Sequence, residues 1–111
     1  MKKIEAILEP SEVEAVQRNL STIGIPIMTV AEVKGFGGRG EMQVYRGVRF
    51  EPPYLTEAKV EVVVPDEMME SAVALILETA KKDPSGQSRI SVFPLEDAAG
   101  RSVGRKSAVA V

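Results

Sequence analysis

Twice in this chain a short alternating run ends in proline and is followed by an apolar stripe at helical spacing. That doubling limits the fold more than any other feature. Ile4-Glu5-Ala6-Ile7-Leu8-Glu9-Pro10 resembles Val60-Glu61-Val62-Val63-Val64-Pro65. In the first run Ile4, Ala6 and Leu8 share one face, with Lys3, Glu5 and Ile7 on the other, so Lys3 to Leu8 reads as a strand with one buried face. Ser11 followed by Glu14 has the form of a capping box, and Val13, Val16, Leu20 and Ile23 then recur at helical spacing up to a stop at Gly24. In the second half Ala58 to Val64 is a strand with Val60, Val62 and Val64 on one face. Asp66 is a candidate N-cap, and Met69, Ala72, Val73, Ile76 and Ala80 form the stripe of a second helix that ends before Asp83.

Each half closes with another strand, Met28 to Lys34 in the first and Arg89 to Phe93 in the second. Two β-α-β halves predict an α+β, ferredoxin-like βαββαβ subunit: a four-stranded antiparallel sheet with both helices on one face. At 111 residues the chain is a single domain, 1–111. The bare sheet face, carrying Ile7 and Val63 with few large charges at the strand centres, is expected to be apolar and so to drive oligomerisation.

Between the halves lies residues 35–56, a stretch with no clear period and too long for a plain connection in so small a domain. Loops of that size are usually functional or disordered, and this one is expected to be mobile. It opens with Gly35-Phe36-Gly37-Gly38-Arg39-Gly40. Glycines let backbone N–H groups approach an anion, and Arg39 adds a charge-assisted donor. Alone, such a hexapeptide is equally a loop hinge. A second turn over 83–89 ends Gly86-Gln87-Ser88-Arg89, and by itself it reads as an ordinary helix-to-strand turn. The fold is expected to set the two turns at the ends of neighbouring strands, where a polyphosphate between them meets backbone amides, Arg89 and Arg101. The small-residue tail covers 94–111.

The residue inventory removes several chemistries. There is no Cys and no His. Thiolate catalysis, Ser-His and Cys-His pairs and transition-metal sites are therefore not expected. Glu41, Glu51 and Glu57 have no spacing diagnostic of a carboxylate pair, and no nucleophile stands beside a base, so an enzyme is not expected. The first residues alternate and carry charge at once, and no apolar run is long enough to span a bilayer, so a cytoplasmic protein without membrane insertion is expected. A net charge of −2 supplies no field for nucleic acid. The rival reading is a single-stranded RNA-binding module of the same strand order, to which Lys34-Gly35-Phe36-Gly37 is partly similar. Gly38 and Gly40 stand where stacking aromatics would be needed.

The chain resembles the PII signal-transduction family over nearly its whole length. The resemblance is carried by Met1 to Ile7, by Met28-Thr29-Val30 through Glu32-Val33-Lys34-Gly35-Phe36-Gly37, by Tyr45-Arg46-Gly47 and by Lys59 to Asp66. It implies a homotrimer, adenine nucleotides (ADP, AMP or ATP) in the clefts between subunits, and a long loop that docks on a membrane transporter or metabolic enzyme in nitrogen or inorganic-carbon metabolism. It also implies that Ile7, Met28, Thr29, Glu61, Val62 and Val63 meet the adenine. The turn Gly35, Phe36, Gly37, Gly38 with Arg39, and the turn Gly86, Gln87, Ser88, Arg89, would hold the phosphates together with Arg101.

Departures from the family pattern sharpen this expectation. The usual Gly-Asp-Gly-Lys turn is Gly86-Gln87-Ser88-Arg89 here, and the usual tail arginines fall at Gly100 and Ser102, with Arg101 and Arg105 out of register. A shorter nucleotide than ATP is therefore plausible. The glutamine that helps hold magnesium is missing, which leaves a magnesium role open. The lysine that pairs with 2-oxoglutarate is Glu57, so that dianion is expected to bind poorly. The tyrosine uridylylated in some members corresponds to Phe50. Bicarbonate, sensed by the carboxysome-associated branch, is an alternative small anion for Arg39.

Overall fold

The computed structural model describes residues 1–36, 43–45, 48–50, 54–80, 89–96, 99–100 and 105–106. Strand β1 (Lys2–Leu8) leads through a 3-10 turn (Pro10–Glu12) into helix α1 (Val13–Thr22) and then β2 (Thr29–Phe36). Two short strands, β3 (Gln43–Tyr45) and β4 (Val48–Phe50), pair with each other in the central excursion. Strand β5 (Tyr54–Val64), a 3-10 turn (Asp66–Met68), α2 (Met69–Thr79) and β6 (Arg89–Pro94) complete the second half. In the tail, β7 (Ala99–Gly100) pairs with β8 (Arg105–Lys106).

The main sheet has four antiparallel strands in the order β2-β5-β1-β6. The two halves therefore interleave: β5 lies between β1 and β2, and β1 lies between β5 and β6. This is the split β-α-β arrangement that the doubled pattern predicts. Both helices cover the face built from Ile4, Ala6, Leu8, Val60, Val62 and Val64, and Val16, Leu20, Ala72 and Ile76 close the core from above. Each of the larger side chains contributes about 1.5–3 kcal/mol by leaving water. Asn19 Nδ2 donates to Thr79 Oγ1 at 2.9 Å, tying the helices together near their C-terminal ends, and Thr79 Oγ1 donates in turn to the Leu75 carbonyl.

Gly24 stops α1 as the pattern predicts. Its φ of +89° is a left-handed conformation that side chains disfavour. The Ile25 N–H donates to the Leu20 carbonyl and the Gly24 N–H to the Ser21 carbonyl, which makes the helix end a Schellman motif. Ile25 then folds back into the core beside Leu20.

Several expectations are corrected. Neither cap forms: α1 and α2 both begin from a 3-10 turn, and no side-chain hydrogen bond caps either turn or either helix. In each case the turn's own backbone supplies the bond, from the Glu12 N–H to the Glu9 carbonyl and from the Met68 N–H to the Pro65 carbonyl. β5 begins at Tyr54 rather than Ala58, and β2 runs on to Phe36, so the base of the central excursion is a paired ribbon. The sequence pattern does not mark Thr56 and Glu57 as strand residues, because the ribbon lacks a regular apolar face there.

The bare face is not an apolar patch either. Its two central strands present Lys3, Glu5, Lys59 and Glu61. Lys3 Nζ lies 3.3 Å from Glu61 and 3.8 Å from Glu5, and stands 5.0 Å from the centre of the Phe93 ring. An oligomer built on this face would have to match charges as well as bury apolar area.

Asp66 has a different partner from the helix end expected of it. Its Oδ1 lies 2.8 Å from the Met1 amino group. The hydrogen bond from that ammonium, then its charge, with a smaller contribution from Lys2, holds the carboxyl below its ordinary range. A depressed folded value means the contribution is present above the ordinary carboxylate range and is lost as pH falls through the folded value. Asp66→Asn is therefore expected to flatten the fall of the thermal midpoint below about pH 4. Identical acid limbs for parent and variant would show the pair to be without effect.

Candidate functional site

Strand register sorts the expected site residues by face. Ile7 lies opposite Arg89 on one side and Lys59 on the other. Thr29 lies opposite Glu61, and its Oγ1 donates to the Glu61 carbonyl at 3.4 Å. These residues, with Val63 and Gly35, all belong to the open face, the one without helices. Val62 belongs to the other face. It is 3% exposed beneath the helices, so only its main chain is available to a ligand. Met28 precedes β2 and packs against the core. Gly37, Gly38, Arg39, Gly86, Gln87, Ser88 and Arg101 lie outside the described residues.

The turns are not at the ends of neighbouring strands. β2, which leads into the glycine-rich turn, and β6, which follows the second turn, are the two outer strands of the sheet. With β5 and β1 between them, they stand about 14 Å apart at the usual strand spacing. They do share an end of the sheet. The antiparallel order puts the end of β2, the end of β1, the start of β5 and the start of β6 together. In one subunit, then, Ile7 and Glu61 are diagonal neighbours on the central strands, with Arg89 beyond Ile7 on one edge and Thr29 beyond Glu61 on the other.

The β2–β5 ribbon continues past the last paired residue of β1, Leu8, as far as the Phe36–Tyr54 pair, about 14 Å further at strand rise. Phe36 is 68% exposed and packs on Tyr54, with ring centres 5.4 Å apart and planes tilted by 48°. Lys34 Nζ stands 4.7 Å from the centre of the Tyr54 ring. The cation and two rings stiffen the ribbon along one side.

A pocket of about 300 Å³ lies where Pro10 and the start of α1 meet β2 and β5. It contains none of the expected site residues. Among the described residues no cluster of acidic side chains suits a metal ion, and no helix is long and apolar enough to cross a membrane. The open face has Phe93 as its one aromatic among the described residues, against the charged side chains of Lys3, Glu5, Glu57, Lys59 and Glu61 on the central strands. It offers no platform for stacking RNA bases.

Comparison with known proteins agrees with this geometry. The family model described as nitrogen regulatory protein P-II matches residues 1–103. The chain is 39% identical over 112 residues to the nitrogen regulatory protein P-II of Haemophilus influenzae, covering the whole of both. It is 41% identical to the protein of that name from Pasteurella multocida over 86% of this chain and 87% of that one. With the nitrogen regulatory protein P-II 1 of Escherichia coli K12 the identity is 42% over 84% of each chain.

Proposed function

This chain belongs to the nitrogen regulatory protein P-II family and is a signal-transduction regulator rather than an enzyme, and from that premise we propose that it senses adenine nucleotides between subunits. Members of the family bind small effectors and act on other proteins such as enzymes and transporters. Our reading is that three copies associate and that ADP, AMP or ATP lies in each cleft. The adenine meets Ile7, Thr29, Glu61 and Val63, and the phosphates meet the turn that starts at Gly35 and the one that ends at Arg89. The nucleotide then sets the posture of the loop beyond the β2–β5 ribbon, which docks on a cytoplasmic enzyme or the cytoplasmic side of a transporter.

The observation that carries this reading is the strand order. β2 and β6 are opposite edges of one sheet, yet the end of β2 and the start of β6 lie at the same end of it. Within one subunit two strands separate those ends. A cleft between the β2 edge of one copy and the β6 edge of the next brings them to the same ligand. Each edge also has unpaired backbone groups that association would cover.

Light scattering of the purified protein should give about three times the 12.0 kDa subunit mass. Titration calorimetry should show an adenylate binding to it. Arg89→Ala removes a charge-assisted donor and is expected to weaken that binding roughly tenfold to a hundredfold. A monomer that binds no adenylate would end this reading.

A further inference from the structure

Glu57 is the only buried polar or charged residue among the described ones, at 7% exposed. It lies opposite Val33 on the ribbon, with Gly35 the next residue along β2 on the same face. Its carboxylate fills the space that a side chain on residue 35 would occupy, for a Cβ built there overlaps Glu57 Oε1. None of the ion pairs among the described residues involves it. A carboxylate on a residue this buried acts on nearby charges with less screening than one on an open surface.

The position is what matters. Gly35, paired with Leu55 near the end of β2, leads into the turn to which the proposed function assigns the phosphates. On that reading, a phosphate chain held at the turn is attracted by it and repelled by the carboxylate seated over Gly35. The attraction is shared by every adenylate, while the repulsion grows with each negative charge on the chain.

We infer that Glu57, seated in the notch over Gly35, is a specificity-determining residue that grades adenylates by phosphate charge and disfavours ATP relative to AMP. The inference rests on the nucleotide reading above. Adenosine is common to the three ligands, so its contribution cancels in the ratio of their affinities and only the charged end is compared.

The test is titration of AMP, ADP and ATP into the intact protein and into Glu57→Gln, with a chelator present so that the phosphates keep their full charge. Far-UV circular dichroism checks the fold of each variant. Removing the charge is expected to raise the affinity for ATP roughly tenfold relative to AMP, with ADP between them. Glu57→Asp retains the charge on a shorter arm and is expected to keep most of the parent's discrimination. An ATP-to-AMP ratio unchanged by Glu57→Gln overturns this inference and leaves nucleotide sensing intact. A ratio altered as much by Glu57→Asp as by Glu57→Gln also overturns it, since packing rather than charge would then be responsible. If neither parent nor variant binds any adenylate, the proposed function falls and this inference falls with it.

Discussion

Val62→Asp is expected to abolish the folded protein, whereas Val63→Asp one residue away leaves it folded. Val62 is 3% exposed and lies opposite Ile4 on the covered face of the sheet. No described cation approaches that core. An ionised carboxylate there has no counter-charge, and the penalty of several kcal/mol is comparable to the roughly 5–15 kcal/mol that holds a domain together. Val63 points to the other side and lies opposite Lys3, whose ammonium already sits among carboxylates. A new acid there meets a cation and water. Circular dichroism and yield of soluble material separate the two outcomes. A folded Val62→Asp protein would mean that the face assignment is wrong. Any loss of adenylate binding in a folded Val63→Asp protein then reports on the site and not on the core.

Leu20→Ala is the second large effect, with an expected loss of about 2–5 kcal/mol of unfolding free energy. Leu20 has no exposed surface and touches both the sheet and α2 through the shared core. Its carbonyl also accepts the Ile25 N–H that closes the end of α1. Truncation leaves a cavity at the point where helix, turn and sheet meet, and the turn held by Gly24 limits how far the backbone can settle into it. Denaturant unfolding at one fixed protein concentration measures the change, since association would otherwise shift the midpoint. A loss below about 1 kcal/mol would indicate a core loose enough to collapse around the missing atoms.

How much of this was legible beforehand depended on whether a short-range period carried the information. The alternation of Ile4, Ala6 and Leu8, and of Val60, Val62 and Val64, identified the covered face of both central strands, because burial on one side enforces a period of two. Gly24 was legible because few residues other than glycine accept its φ. The caps were misread. Ser11, Glu14 and Asp66 have the right chemistry for capping, but after Pro10 and Pro65 the backbone closed a 3-10 turn by itself, and Asp66 was claimed by the Met1 amino group. The ribbon was underestimated because Thr56 and Glu57 are polar residues in a two-stranded extension that covers no core. The sign of the charge at residue 57 was visible in the sequence. That the carboxylate is seated over Gly35 was not.

By itself the sequence determined the two helices and four strands of the main layers, the covered face of the sheet, the likeness to a family of regulators and the absence of histidine and cysteine chemistry. Each of these is a local property, set by side-chain period or by which atoms a residue owns. Tertiary structure alone decided that β2 and β6 become opposite edges where neighbouring strands were expected, and that Lys3, Glu5 and Glu61 share one ion-paired cluster. Strand neighbours are chosen by how two helices and four strands bury their apolar faces together, and no stretch of a few residues records that choice. The separation of the two turns, on which the case for a cleft between subunits stands, is a consequence of that packing.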